Sequence, residues 1–185
     1  MWSLCHWAFV AGFNHPPNVD GLLWFVDEVM PLVWQQCPDL CLHVVGSNAT
    51  TAVTALASER ILIHGYLSDA ELARRYTSAR MVAVPLRFGA GVKGKVLEAL
   101  QHGLPLVTTP IGAEGLPEPD LVFNVAESAE DFARALVELN QGDEARLARL
   151  EHYSSYLDNH FSKERASNIL RRDFGDPVRA EEQSG

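Results

Sequence analysis

The chain has 185 residues, 47% of them hydrophobic, and a formal net charge of -9 at pH 7. This length fits one domain with a single packed core, and the acidic balance excludes a nucleic-acid binder that relies on a basic surface. No apolar run approaches the roughly 18 residues that a membrane span needs, and the first residues lack the basic region and cleavage site of a secretory signal.

The three cysteines, Cys5, Cys37 and Cys41, are an odd number for a mid-sized domain. They predict buried free thiols in a reducing compartment. The spacing of Cys37 and Cys41 does not fit a zinc site, and there is no second pair. We therefore expect a cytoplasmic protein, with the inner face of a membrane as an alternative location.

Short apolar runs alternate with segments of helical periodicity along the chain. A first strand at residues 7–11 precedes a helix over about residues 19–36, which Asn18 would cap and which Pro31 would kink or end. Further strands are predicted at residues 40–45, 61–64, 81–86, 104–109 and 121–125. Further helices are predicted at residues 49–58, 69–78, 128–140, 144–158 and 162–174, and one from residue 92; Ser68 or Asp69 and Ser128 are caps.

Apolar strands that alternate with helices indicate a parallel sheet covered on both faces. Ligands bind such sheets beyond the carboxyl ends of the strands. The loops expected there are residues 12–18, 46–48, 64–67, 87–95 and 110–115.

The stretch from residue 87 to residue 115 predicts an anion site. Gly89 and Gly91 follow the fourth strand and let the backbone turn tightly and approach a ligand closely. Lys93 and Lys95 lie in the predicted first turn of the next helix, where a cation opposes the helix dipole and fits better as the partner of an anion. Arg87 adds a third positive charge, so a phosphate is the expected ligand.

Residues 89–94 also match the G-x-G-x-x-G pattern of dinucleotide-binding proteins. However, the motif follows the fourth strand, and the next strand ends in Thr108, Thr109 and Pro110 without the acid that binds ribose. A lysine also stands where close backbone approach is needed. A nicotinamide cofactor is therefore disfavoured.

Two acidic residues have two interpretations each. Glu98 either pairs with Lys95 at i,i+3, which is worth a few tenths of a kcal/mol, or points to the crevice and binds ribose hydroxyls. Glu114 either helps to close the crevice or caps a short helix.

Three histidines lie near the predicted loops. His102 precedes a glycine helix stop, where the helix dipole explains it. His64 ends the third strand, where it would be at most a wall residue of the ligand pocket. His15, in the first loop, is the one whose mutation we expect to affect function.

Four segments together closely resemble the donor-binding half of group 1 (family 4) glycosyltransferases. They read G-V-K-G-K-V-L-E-A-L from residue 91, G-L-P-L-V-T-T from residue 103, G-A-E-G-L from residue 112 and F-N-H-P-P-N-V-D from residue 13. The resemblance covers about residues 9–174.

This resemblance implies a GT-B architecture, in which two Rossmann-like domains enclose the active site. The chain would be the C-terminal half: an α/β, Rossmann-like three-layer domain with a central parallel sheet of about six strands. Residues 8–175 would form the nucleotide-sugar-binding domain. Residues 1–7 would be an N-terminal extension or a remnant of cloning, and residues 176–185 a disordered tail. The acceptor-binding domain would be missing.

The resemblance also implies which residues meet the nucleotide-sugar. They are Gly12, Asn14, His15, Gly46, His64, Gly65, Arg87, Gly91, Val92, Lys93, Lys95 and Glu98. In the family's E-x7-E pattern the second glutamate is Glu98, whereas Ala90 replaces the first, which leaves the catalytic residues unassigned. Many relatives carry Arg and Lys in the first loop; here we expect Arg87, Lys93 and Lys95 to supply that charge.

The expected function follows from this resemblance. The chain would bind a UDP- or GDP-linked sugar as the donor domain of a retaining glycosyltransferase and would be inactive alone. No D-x-D motif is present, so no metal on the diphosphate and no further cofactor is expected. Any membrane association would come through the missing half. The alternatives are a non-catalytic nucleotide-sugar-binding or interaction module, and an epimerase or phosphorylase of the same architecture.

Overall fold

The computed structural model describes residues 6–161, apart from the side chains of residues 6 and 143–151. In this range the strands are β1 (His6–Val10), β2 (Cys41–Val45), β3 (Ile61–Ile63), β4 (Val82–Val84), β5 (Leu106–Thr108) and β6 (Asn124–Val125). The helices are α1 (Pro16–Trp24), α2 (Met30–Gln36), α3 (Thr51–Thr54), α4 (Asp69–Ser78), α5 (Gly94–Gln101), α6 (Ala129–Gln141) and α7 (Asp143–Phe161). All six predicted strands are present, each within three residues of its predicted limits.

The strands form one parallel sheet in the order β3-β2-β1-β4-β5-β6. From β1 the chain builds outward to β3, then returns to place β4 on the other side of β1. β1 pairs with β2 along its whole length, but with β4 only at Ala8 and Val82. The topological switch point therefore lies between β1 and β4, where the loops diverge and open a crevice.

Two apolar layers cover the sheet. On one face, α1, α2, α3 and α6 pack on β1 and β2, with Phe132 of α6 meeting Trp24 and Phe25 edge to face at 5.8 Å. On the other face, α4, α5 and α7 pack on β4 and β5 around Tyr76 and Phe123. This confirms the predicted three-layer α/β arrangement.

The first helical segment begins earlier than predicted, at Pro16 rather than at residue 19. Two consecutive prolines suit a first turn, because their φ is already helical and no N–H is needed there. Asn18 is consequently inside α1 and is not its cap. Further on, a π-helical turn (Phe25–Val29) leads into Pro31, which stands in the first turn of α2. Pro31 thus divides the segment as predicted.

Other boundaries also differ from the predictions. α5 begins at Gly94, two residues late, because Gly89 and Gly91 adopt positive φ (119° and 79°) and Lys93 is extended. α3 has four residues, shorter than predicted. Cys37 and Cys41 are free thiols, but they are half-buried rather than buried.

Some predictions lie outside the described residues: Cys5, the helix at 162–174 and the tail from residue 176. Within residues 6–161, no helix combines the length and the apolar character needed to cross a bilayer.

Candidate functional site

The loops that follow β1, β2 and β3 are joined by backbone hydrogen bonds. Ala11 N–H donates to Val45 O (2.9 Å), and Gly46 N–H donates to Gly65 O (2.8 Å). A Cβ on Gly46 would lie 1.6 Å from Ala11 O. Gly46 is therefore required by the close packing of two loops. The structure gives a local reason for this glycine that does not involve a ligand.

The loop between β4 and α5 borders open space. Gly91 has a φ of 79°, which favours glycine, yet a Cβ there would meet nothing within 4 Å, and the same is true at Gly94. Gly94 is the first residue of α5, whose first N–H groups have no partner within the helix and carry the positive end of its dipole. A ligand anion could therefore approach this backbone closely.

Lys95 projects from the first turn of α5 into the crevice between the β1 and β4 loops. Its Nζ donates to Asn18 Oδ1 at 2.5 Å and lies 5.9 Å from the centre of the Phe9 ring. Burial, and then the nearby charge of Lys93, lower the pKa of Lys95 to about 8. Among the side chains that the structure describes, no carboxylate lies within 4 Å of this ammonium. Of the two interpretations of Glu98, the i,i+3 ion pair with Lys95 is therefore not formed in this structure.

Lys93 has a different environment from Lys95. It is the extended residue before α5, so the prediction that it lies in the first turn is wrong. Its side chain is only 10% exposed, and its Nζ contacts Gly91 O and lies 3.3 Å from Glu114 Oε2. Glu114 follows β5, so this ion pair joins the two glycine loops. Of the two interpretations of Glu114, this geometry favours closure of the crevice.

Arg87 is also paired with a carboxylate. Its Nε and Nη2 donate to the two carboxylate oxygens of Asp20, at 2.9 and 2.6 Å. These hydrogen bonds lower the pKa of Asp20 and raise the pKa of Arg87. The charge that the sequence assigns to Arg87 is thus compensated in this structure, by a partner 67 residues away that the sequence pattern did not reveal.

The first loop carries three predicted site residues at its surface. Gly12, Asn14 and His15 are exposed. His15 occupies the N-cap position of α1, but its side chain makes no capping bond. Beside this loop, a groove of about 400 Å³ is lined by Phe13, Pro16, Val19, Asp20, Leu23, Thr50 and Phe88. A larger groove of about 560 Å³ lies between β6 and α6, but none of the predicted site residues lines it.

Comparisons with known proteins identify the family to which this site belongs. The family model of glycosyl transferases group 1 matches residues 6–141. The chain belongs to the group 1 glycosyltransferases. An uncharacterized 44.6 kDa protein in the cps region of Klebsiella pneumoniae is 33% identical over 119 residues, which cover 60% of this chain and 30% of that protein.

Solved structures support the same fold. A point mutant of S. aureus TarM, in complex with fondaparinux, alpha-GlcNAc-glycerol and UDP, aligns with a TM-score of 0.77 at 15% identity over 93% of this chain and 36% of TarM. WaaG, a glycosyltransferase involved in lipopolysaccharide biosynthesis, gives 0.69 at 19% identity, over 92% of this chain and 47% of WaaG. The C-terminal domain of the group 1 protein LpcC from Francisella tularensis gives 0.68 at 18% identity, over 85% of this chain and 87% of that domain.

These matches show the GT-B type of Rossmann-like fold. The chain spans about a third of the length of the Klebsiella protein and of TarM, and nearly all of the LpcC domain. Ala90, which the sequence predicts at the first position of the family's E-x7-E pattern, is exposed in the β4–α5 loop.

Glu98, at the second position of that pattern, lies in the middle of α5 and is half-buried. It is close to Tyr76 of α4, whose pKa is raised first by burial and then by the Glu98 charge. The Tyr76 hydroxyl makes no hydrogen bond of standard geometry within the described residues, although it is near the carboxylate. The Tyr76 ring stacks on His102 at 4.8 Å, and His102 is the C-cap residue that follows α5, beside the Gly103 stop.

His64 is half of a histidine pair that the sequence pattern did not reveal. His43 Nδ1 and His64 Nε2 are 2.7 Å apart, so one ring donates the shared proton to the other. His43 is buried within β2, and His64 follows β3. Burial, and then the charge of Arg75, lower the pKa of His64. The signal in the sequence was one histidine within the second predicted strand and another at the end of the third.

Proposed function

We propose that this chain is the donor-binding domain of a retaining, metal-independent glycosyltransferase. It would bind a nucleoside diphosphate-sugar in the crevice between the β1 and β4 loops. The observation that carries this proposal is the Lys95 ammonium. It lies beside an open glycine loop and a helix N-terminus, and it has no carboxylate partner among the described side chains.

The domain assignment extends this proposal to the whole chain. Residues 8–175 would form the donor domain, with residues 1–7 as an extension. The acceptor-binding domain would lie in a part of the full-length protein outside this chain. Two comparisons support this division. The chain aligns with 36% of TarM, but with 87% of the isolated C-terminal domain of LpcC.

The diphosphate would lie over the β4–α5 loop. Lys95 would supply a point charge, and the backbone N–H groups near Gly91 and Gly94 would supply fixed donors. These groups act on the phosphate oxygens where negative charge grows as the bond between sugar and phosphate breaks. Donors that are already oriented stabilise that charge without reorganisation.

The nucleoside would extend from the diphosphate along the carboxyl ends of the strands. Glu98 would accept hydrogen bonds from the ribose hydroxyls, and the base would lie near His64 and Gly65. A UDP- or GDP-linked donor suits this arrangement. TarM, which has the same fold, was solved with UDP.

A second candidate function is a non-catalytic nucleotide-sugar-binding module. Ala90 favours it, because no carboxylate stands where the family places the first glutamate of E-x7-E. In the transferase account, sugar recognition would instead depend on other groups in the first loop, of which His15 is exposed and capable of hydrogen bonding.

Calorimetric titration of the chain with UDP, GDP, uridine and guanosine tests the binding proposal. We expect one of the diphosphates to bind at least about tenfold more tightly than its own nucleoside, a difference of about 1.4 kcal/mol. Failure of both diphosphates to bind would refute the proposal. Equal affinity for nucleoside and diphosphate would show that the crevice does not hold phosphate.

A further inference from the structure

Asn18 is a buried polar residue at the switch point of the sheet, and both its amide oxygen and its amide nitrogen are hydrogen-bonded. It is 6% exposed, and its backbone is fixed in the first turns of α1. Its Oδ1 accepts from Lys95 Nζ at 2.5 Å, and its Nδ2 donates to Gly12 O at 2.7 Å. The side chain thus links α1, the β1–α1 loop and the first turn of α5.

The chemistry of its partners fixes the orientation of this amide. An ammonium only donates, so the atom facing Lys95 must be the oxygen, whereas a carbonyl only accepts, so the atom facing Gly12 must be the nitrogen. The lysine is therefore held at a defined point by an acceptor that cannot rotate without losing both hydrogen bonds.

The neutrality of the amide distinguishes Lys95 from the other cations of the site. Arg87 is paired with Asp20, and Lys93 is paired with Glu114. Lys95 has the same need for an acceptor, but an amide meets that need without compensating its charge. The positive charge is thus positioned and still available to a ligand.

We propose that Asn18 is a positioning residue for phosphate binding, which holds the Lys95 ammonium in the crevice and leaves its charge for the diphosphate. This inference rests on the proposed function. Asn18 acts through Lys95 and need not touch the ligand.

Several groups around Lys95 influence its pKa. Lys93 repels the ammonium, and the Phe9 ring of β1 faces it. Glu98 lies one turn further along α5 without forming an ion pair with it, and the carboxylates of Asp20 and Glu114 are engaged with other cations. A change at position 18 therefore alters the direct partner of Lys95 while these surroundings stay the same.

Two substitutions separate a positioning role from a structural one. Asn18→Asp and Asn18→Leu both lose the hydrogen bond to Gly12 O, so a purely structural role predicts the same pH profile of UDP binding for both. A positioning role predicts opposite shifts: the carboxylate raises the pKa of Lys95, and the leucine lowers it further. Asn140→Asp is the matched control, because Asn140 of α6 is another part-buried asparagine, whose Oδ1 accepts a hydrogen bond from Trp7 Nε1 of β1.

The experiment is calorimetric titration with UDP between pH 7 and pH 9.5. We expect Asn18→Asp to weaken binding about tenfold at pH 7.5, since the new carboxylate competes with phosphate, and to move the high-pH loss of affinity up by about one unit. Asn18→Leu should also weaken binding, but its loss of affinity at high pH should begin at a lower pH than in the wild type. Asn140→Asp should have the affinity and the pH profile of the wild type.

The outcomes are distinguishable. If the wild type does not bind UDP or GDP, the proposed function fails and this inference fails with it. If the wild type binds and the two Asn18 variants share one pH profile, whether or not it is that of the wild type, only the positioning role is overturned. Asn18→Asp is nearly isosteric and decides the question alone if Asn18→Leu does not fold.

Discussion

The pKa of Lys95 makes binding of a diphosphate depend on pH. Burial lowers this pKa to about 8, and only the charged form attracts phosphate. Affinity should be constant from pH 7 to about pH 8 and then fall by up to about tenfold for each further pH unit. UDP itself contributes little to this slope, because a terminal phosphate titrates near pH 6.

The Lys95→Arg variant checks that this slope arises from one residue. A guanidinium remains charged throughout the range, so the variant should bind UDP with a flat profile from pH 7 to pH 9.5 in the same titration. A wild-type profile that is equally flat would show that Lys95 does not contact the ligand.

Two glycines at the site should respond differently to the same substitution. A Cβ on Gly94 meets only open space, and alanine is the better helix former. Gly94→Ala should therefore leave the fold as stable or stabilise it by up to about 1 kcal/mol, yet weaken UDP binding, because the methyl group keeps phosphate away from the helix N–H groups.

Gly46→Ala should instead destabilise the fold. Its Cβ would overlap Ala11 O, so the variant should lose stability before any effect on the ligand is considered. Thermal unfolding and UDP titration of both variants measure the contrast. A Gly94→Ala variant that binds UDP like the wild type would argue against backbone contact with the phosphate.

At the scale of elements, the ion pair between Arg87 and Asp20 links the β4–α5 loop to α1. Both side chains are partly exposed, at 47% and 29%, so the pair should contribute less than about 1 kcal/mol to stability. Asp20→Asn should cost little stability and increase UDP affinity a few-fold at low salt, since the Arg87 charge is no longer compensated. Raising the salt concentration should reduce that gain. Weaker binding by this variant would indicate that the pair is needed to shape the loop.

This pair also depends on pH in a defined direction. The folded-state pKa of Asp20 lies below its ordinary value, so its contribution is fully present above that ordinary value. The contribution is lost as the pH falls through the folded-state pKa. The stability difference between wild type and Asp20→Asn should therefore disappear in acid and be constant near neutrality.

The elements were largely predictable, whereas the limits of some of them were not. Apolar runs such as residues 81–86 and 104–109 indicate buried strands whatever their partners are. The starts of α1 and α5 were displaced by two or three residues, because Pro16 begins a helix without a capping side chain and Gly89 and Gly91 delay one. The φ preferences of single residues determine where these helices begin, and a hydrophobic pattern gives no information on those preferences.

The partners within the site could not be read from the sequence. Asn18 and Lys95 are 77 residues apart, and Lys93 and Glu114 are 21 apart. The sequence shows that cations and glycines cluster after β4. The sheet order places β4 next to β1 and thereby brings these distant residues together. Two of the three cations then pair with carboxylates, and the third pairs with an amide.

At the scale of the whole molecule, the proposed donor-binding role predicts that transfer needs an acceptor-binding domain outside this chain. On that proposal the active site would lie between two domains, of which this chain would be one. The isolated chain should bind donor nucleotide but release no nucleoside diphosphate from a UDP- or GDP-sugar, while the full-length protein should release it. Measuring nucleoside diphosphate release by both proteins checks this expectation. A full-length protein that binds donor yet never releases nucleoside diphosphate, with any acceptor, would favour the non-catalytic module.

The central claim is that the Lys95 ammonium receives the diphosphate of a nucleotide-sugar. Calorimetric titration of UDP and GDP into wild type, Lys95→Met and Arg60→Met at pH 7.5 tests it most directly. Arg60 is a matched control because it is a cation at the opposite end of the sheet from the crevice. It precedes the amino end of β3 and lies over the Trp34 ring. We expect Lys95→Met to lose at least about tenfold in affinity and Arg60→Met to lose less than twofold. An affinity of Lys95→Met within twofold of the wild type would contradict the account.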